Sequence, residues 1–192
     1  MDYFRFNTLP LVDKTLCILE LGPEGCSTFK YMMATGKPAA QEYPGDAKWS
    51  MTAKYPGIKV ASIIDNTARL VVAHRDVKDV FVATGVPMEC FPFTLYDHKG
   101  RVASTDHFIV NVLGTFDCLN LQKSEIDYSK TYPDKILGID RYVLDPRKLE
   151  HAPDIFRIKE DPYAVVLSHR LVDQLRPVNP TNLFLVKLDQ EA

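Results

Sequence analysis

The stretch Ala164-Val165-Val166-Leu167-Ser168-His169-Arg170-Leu171-Val172 decides how this chain is read, because two kinds of periodicity meet inside it. An apolar, β-branched run suited to a buried strand ends at Ser168, a strong helix N-cap. Leu171, Val172 and Leu175 then fall on one helical face until Pro177 stops the helix. The same phrase occurs earlier as Val71-Val72-Ala73-His74-Arg75. There Asp76 is the expected N-cap, Val77, Val80, Phe81 and Thr84 form the apolar face, and Gly85 supplies the left-handed stop. Each phrase leads into a further apolar run, at residues 90–96 and 183–188. The chain is therefore expected to hold two similar strand-helix-strand units.

Outward from these units, strand signals outnumber helical ones. Residues 15–21 predict a strand, turned by Gly22-Pro23-Glu24-Gly25, and residues 36–57, with Pro38, Pro44 and Pro56, predict short irregular structure. Residues 91–96 and 107–113 predict a hairpin with Gly100 near its tip. Residues 122–135 read as a polar loop, residues 136–144 as a strand, and the alternating Ile155-Phe156-Arg157-Ile158-Lys159 as a half-buried strand. Neither a regular βαβ alternation nor a Gly-rich phosphate loop is present. The expected class is α+β, with mixed or mainly antiparallel sheets and a few short helices, in one domain over residues 1–192.

With 192 residues, 46% of them hydrophobic and 25% charged, the chain can bury a substantial core. Its net charge of −2, with Lys, Arg, Asp and Glu interspersed, offers no basic face for nucleic acid. No apolar run approaches the roughly 20 residues that span a bilayer, so no membrane partner is expected. Cys17, Cys26, Cys90 and Cys118 are scattered, and Met1-Asp2-Tyr3 is not the basic start of a signal peptide. A cytoplasmic location with reduced thiols follows as the expectation.

Three sets of residues invite a chemical reading. His74-Arg75 and His169-Arg170 stand where a strand hands over to a helix, where unpaired N–H groups and a guanidinium could hold an anion. Duplication of a scaffold element would leave the same residues without any ligand. Asp97-His98 and Asp106-His107 flank the hairpin and could bring His98 and His107 to one metal, although strand neighbours face opposite sides. Trp49, with Tyr43, Asp46 and Tyr55 in the irregular segment, forms the expected partner-binding set, since rigid aromatic anchors dominate interfaces; packing of Trp49 at the core edge is the alternative. There is no GxSxG elbow, and pairing Cys90 or Cys118 with a distant His would be arbitrary. No catalytic residue and no cofactor is expected.

Asp154-Ile155-Phe156-Arg157-Ile158-Lys159, Val165-Val166-Leu167-Ser168, the helix at 170–175 and Thr181-Asn182-Leu183-Phe184-Leu185 carry a resemblance. So do Phe108-Ile109-Val110-Asn111-Val112-Leu113, Phe116-Asp117-Cys118-Leu119-Asn120 and Lys123-Ser124-Glu125 upstream. Over residues 60–190 the chain resembles a bacterial polymorphic-toxin immunity family of the Imm11 type, first catalogued as a domain of unknown function; residues 1–59 diverge. Asn120 stands where the family pattern has an acid. The resemblance implies a cytoplasmic antidote, associated with polymorphic toxins and type VI secretion, that binds a cognate toxin, with no cofactor and no catalytic residue. Two other readings remain beside it: a small metal- or anion-dependent enzyme, and a ligand-sensing module that forms a homodimer through its repeated halves.

Overall fold

Among the described residues, 1–9 and 13–192 of the computed structural model, the α-helices are α1 (Lys30–Ala34), α2 (Arg75–Val82) and α3 (His169–Leu175). Both expected units form. In the first, the strand Val72–His74 leads into α2 and returns as Met88–Pro92, and the antiparallel strand His107–Val112 lies between the two. In the second, Val165–Ser168 leads into α3 and returns as Phe184–Lys187, and here the strand between them is Tyr3–Asn7, from the other end of the chain. A helix about 10 Å wide crosses two strand spacings of about 4.8 Å, which leaves room for one interposed strand. Ile155–Arg157 extends the second sheet to four strands.

Alternation along the strands divides the interior into three. Ala73, Val110 and Val112 of one sheet and Ile155, Val165 and Leu167 of the other pack with Val77 and Phe81 of α2 and Leu171 and Leu175 of α3. The intervening residues point to the opposite faces. Val72, Phe91 and Ile109 enter a second cluster with Met33, Trp49 and Leu95, whereas Phe156 and Val166 enter a third with Tyr3, Leu119 and Leu144. The two repeated units therefore pack on each other through their helices, inside one chain.

The Ser168 hydroxyl accepts from Leu171 N at 3.2 Å and caps α3, as expected. In α2 the cap is His74, whose Nδ1 accepts from Asp76 N at 3.3 Å, because Arg75 is already helical and Asp76 lies inside the first turn. The run at 90–96 is broken. Met88–Pro92 stays in the first sheet, where Phe91 pairs with Ile109 as the hairpin requires. After Phe93, Thr94–Tyr96 pairs instead with Val102–Ser104 and, in parallel, with Lys48–Ser50.

Residues 122–135 are not all loop: Glu125–Tyr128 pairs with Ile136–Arg141 in a two-stranded ribbon joined to no other sheet. Both strands are largely exposed, so neither face imposes an apolar alternation on the sequence. The opposite holds for Ile155–Arg157, which is buried throughout, the guanidinium of Arg157 included.

Candidate partner-binding groove

The two His-Arg junctions are built alike, and both are already filled. Arg75 Nη2 lies 2.7 Å from Asp106 Oδ1, and Arg170 Nη2 lies 2.6 Å from Asp154 Oδ2. Each aspartate immediately precedes the antiparallel strand beside its junction, and its carbonyl accepts from Arg75 N or Ser168 N at 2.8 Å. A carboxylate thus occupies the place an anion would take, and the repetition preserves an ion-paired scaffold.

The metal alternative is not assembled either. His107 is buried, with Nε2 2.9 Å from Ala61 O and Nδ1 2.8 Å from Ser104 Oγ, so both ring nitrogens have chain partners. Its ring stands edge-on to His74, at 5.3 Å between centroids, whereas His98 lies against Gly57 O at 3.4 Å. Among the described residues no three His, Cys, Asp or Glu side chains converge as metal ligands.

Burial lowers the His107 pKa below its usual 6.5, with His74 acting in the same direction and Ala61 O and Asp106 opposing it. The unfolded chain then takes up a proton before the folded one does. Stability is expected to fall as the pH drops below 6.5, and His107→Gln, whose amide can still donate to Ala61 O, should flatten that slope. Urea midpoints between pH 7 and 5 check this. Asp97 and Asp145, held at about 2 by bonds from Arg101 and Arg147, titrate well below that window. An unchanged slope in the variant would remove His107 as its source.

Of the four expected partner-binding residues, Trp49 is 2% exposed; its indole N–H donates to Glu20 O at 2.8 Å and its ring meets Phe93 edge-on. It packs in the core. Tyr43 stacks on Phe91 at 4.4 Å and donates to Pro92 O at 2.9 Å. Asp46 is exposed, and Tyr55 is half-buried with the Lys54 ammonium over its ring.

A different set converges at a groove. One cleft of about 310 Å³ is lined by Arg5, Asp65, Arg69, Tyr142, Asp161 and Tyr163. A second, of about 360 Å³, shares Arg69, Tyr142, Asp161 and Tyr163 and runs on to residues 136–139 of the ribbon. The Arg5 guanidinium sits 4.8 Å from the centroid of the Tyr142 ring, and that of Arg69 sits 5.0 Å from Tyr163. Tyr142 donates to Asp161 Oδ2 at 2.7 Å, and burial, then this bond, raises its pKa to about 12. Thr8 donates in the same way to Asp65 Oδ1 at 2.6 Å.

Arg69 stands at the corner of a turn clamped by Asn66, whose side-chain amide donates to Leu70 O at 2.8 Å and whose oxygen accepts from Leu70 N at 3.0 Å. Its φ of 58° is a left-handed conformation that a long side chain rarely adopts. At the ribbon end, Tyr132 and Leu137 are 67% and 60% exposed. Nothing local in the sequence marks these residues as a set: the arginines and tyrosines come from four separate segments, and only the fold joins them.

Asn120, the departure from the family's acidic position, accepts from Gln122 N and Lys123 N while its amide donates to Glu191 O at 3.0 Å. A carboxylate could not make that last bond. No helix among the described residues is long and apolar enough to cross a membrane. No curated protein matches the chain. The model of the Immunity protein family (Imm11) matches residues 40–188, twenty residues further toward the N-terminus than the resemblance read from the sequence. With more than half of its length matched, and with the α+β architecture of small antiparallel sheets and short helices described above, the chain belongs to the Imm11 immunity protein family.

Proposed function

We propose that this protein acts in the cytoplasm as a stoichiometric antidote, binding a cognate toxin delivered in interbacterial competition, as by type VI secretion, and blocking it without chemistry of its own. Membership of the immunity family carries this reading. The groove and the adjoining ribbon are the proposed contact face. They combine arginines, tyrosines and exposed apolar side chains, the composition of interface hot spots, and the ribbon's strands are paired only with each other. Asp46, with the half-buried Tyr43 and Tyr55, is the reachable part of a second proposed contact, and Trp49 of the same set packs in the core.

The test is co-expression with the product of the neighbouring gene. Growth should be restored and the two proteins should co-purify at equal stoichiometry; unrelieved toxicity with no co-purification would reject the antidote. Leu137→Asp on the ribbon should weaken the complex about tenfold or more, since a charge would enter an apolar contact. Equal affinity in this variant would take the ribbon out of the contact face.

A further inference from the structure

We infer that the groove is a carboxylate-binding site and that the toxin segment it receives presents acidic side chains to Arg5 and Arg69. The inference rests on the antidote reading and adds the chemistry of the partner. It begins with how the chain uses its arginines, of which there are nine. Arg75, Arg101, Arg141, Arg147, Arg170 and Arg176 are each ion-paired to a carboxylate. Arg157 is buried and spends its donors on carbonyls. The remaining two, Arg5 and Arg69, line the same cleft.

Both are set up in the same way. Each guanidinium lies over a tyrosine ring, that of Arg5 4.8 Å from the centroid of Tyr142 and that of Arg69 5.0 Å from that of Tyr163. Among the described residues neither enters an ion pair, and Arg5 Nε is buried without an acceptor. A buried donor left unsatisfied costs stability, as does the left-handed backbone of Arg69. The cost at Arg5 is offset if an acceptor reaches that donor, and a planar carboxylate can take it together with a neighbouring N–H, while the left-handed turn holds the Arg69 guanidinium at the same cleft.

The aspartates of the groove set the register. Asp65 and Asp161 accept from the hydroxyls of Thr8 and Tyr142, and with Glu160 of the second cleft their carboxylates repel a ligand whose backbone is itself charged at every unit, whereas flexible acidic side chains can turn away from them. Such a mixed lining suits a protein segment with acids at set positions better than a polyphosphate or a nucleic acid.

The side-chain Nε–Hε resonances of the arginines report the site directly by NMR. The probe is an acetylated, amidated tetraglutamate peptide, with the matching tetraglutamine peptide, glutarate and inorganic phosphate as comparators. Arg5 and Arg69 should shift saturably with tetraglutamate and not with tetraglutamine, while ion-paired Arg75 stays in place. Arg69→Gly should shift the tetraglutamate midpoint at least tenfold higher while its unfolding temperature holds or rises, because glycine adopts that φ without strain. No saturable shift, an equal response to tetraglutamine, or saturation by glutarate or phosphate at lower concentration than tetraglutamate would each overturn the assignment, the last in favour of a small-anion site. With the toxin in hand, Arg5→Ala combined with Arg69→Gly should weaken the complex at least tenfold. If the wild type protects and this variant protects and binds equally, the carboxylate site falls and the antidote stands. If the wild type does not protect, the antidote falls, and the peptide titration still judges the groove.

Discussion

Replacing Arg157 by Met is expected to lower the unfolding free energy by about 3 kcal/mol or more. The guanidinium is fully buried, and its acceptors are all main-chain carbonyls: Val112 O at 2.9 Å, Ala34 O at 2.7 Å, Pro162 O at 2.8 Å and Met33 O at 3.0 Å. Two of these belong to the C-terminal turn of α1, where helix carbonyls have no partner of their own. One cation therefore ties α1, the end of the central strand His107–Val112 and the turn at residue 162 to the second sheet. Desolvation brings its pKa down to about 10, which still leaves it charged at neutral pH.

Gly36 shows how closely the parts converge. Its φ is +77°, and a Cβ there would stand 2.7 Å from Gly114 O, 2.8 Å from Val112 O and 2.9 Å from Arg157 Cδ. Methionine fills the volume of arginine but offers no donor, so four carbonyls lose their partner together. Arg157→Lys keeps the charge with shorter reach and should recover part of the loss. Urea unfolding of both variants measures it; a loss below about 1 kcal/mol for Arg157→Met would mean that water replaces the guanidinium at no great cost.

Arg157 also marks a limit of what the sequence discloses. Alternation in Ile155-Phe156-Arg157-Ile158-Lys159 places the arginine on a solvent face, since period-two patterning assumes that polar means exposed. The strand was legible; the burial was not, because the satisfying carbonyls come from residues 33, 34, 112 and 162. The strand-helix junctions were readable for the opposite reason, as the apolar run, the Ser168 cap and the helical spacing are all local. The strand between Val165–Ser168 and Phe184–Lys187 gives no such local signal, being supplied by residues 3–7. The ribbon strand Glu125–Tyr128 gives none because it buries neither face. The groove combines both difficulties. Its residues are far apart in the chain, and the left-handed turn that projects Arg69 carries no glycine to announce it.

That division has a physical logic for a protein whose proposed work is binding. The core of α2 and α3 against the two sheets is made of residues whose periodicity follows from burial, while a contact face is selected by its partner. The His-Arg junctions illustrate the first kind: they look chemical, yet each arginine is spent on an aspartate of the scaffold. Arg5 and Arg69 illustrate the second, since they stand out only after every other arginine has been assigned a partner.

Gly57→Ala is expected to cost about 2–4 kcal/mol, the second large effect, and to do so through the main chain alone. A Cβ at residue 57 would clash with the Leu16 carbonyl oxygen and stand 2.6 Å from its carbon and 2.9 Å from Thr15 C. Backbone cannot move aside there without breaking the Leu16–Lys59 bridge, in which Lys59 N donates to Thr15 O at 2.8 Å and Cys17 N donates to Lys59 O at 2.9 Å. Beyond this bridge lie Cys17 and Leu19, both buried, and Glu20 O, which accepts the Trp49 indole N–H. Loosening it would open one side of the cluster around Trp49. The Cys17 thiol reports this, since burial raises its pKa to about 12 and keeps it from reacting in the folded protein. In Gly57→Ala the thiol should become reactive toward an aromatic disulfide under native conditions, alongside a lower urea midpoint. Wild-type stability with Cys17 still unreactive would show that residues 15–16 yield to a methyl group, and that the close approach at Gly57 is not required by the fold.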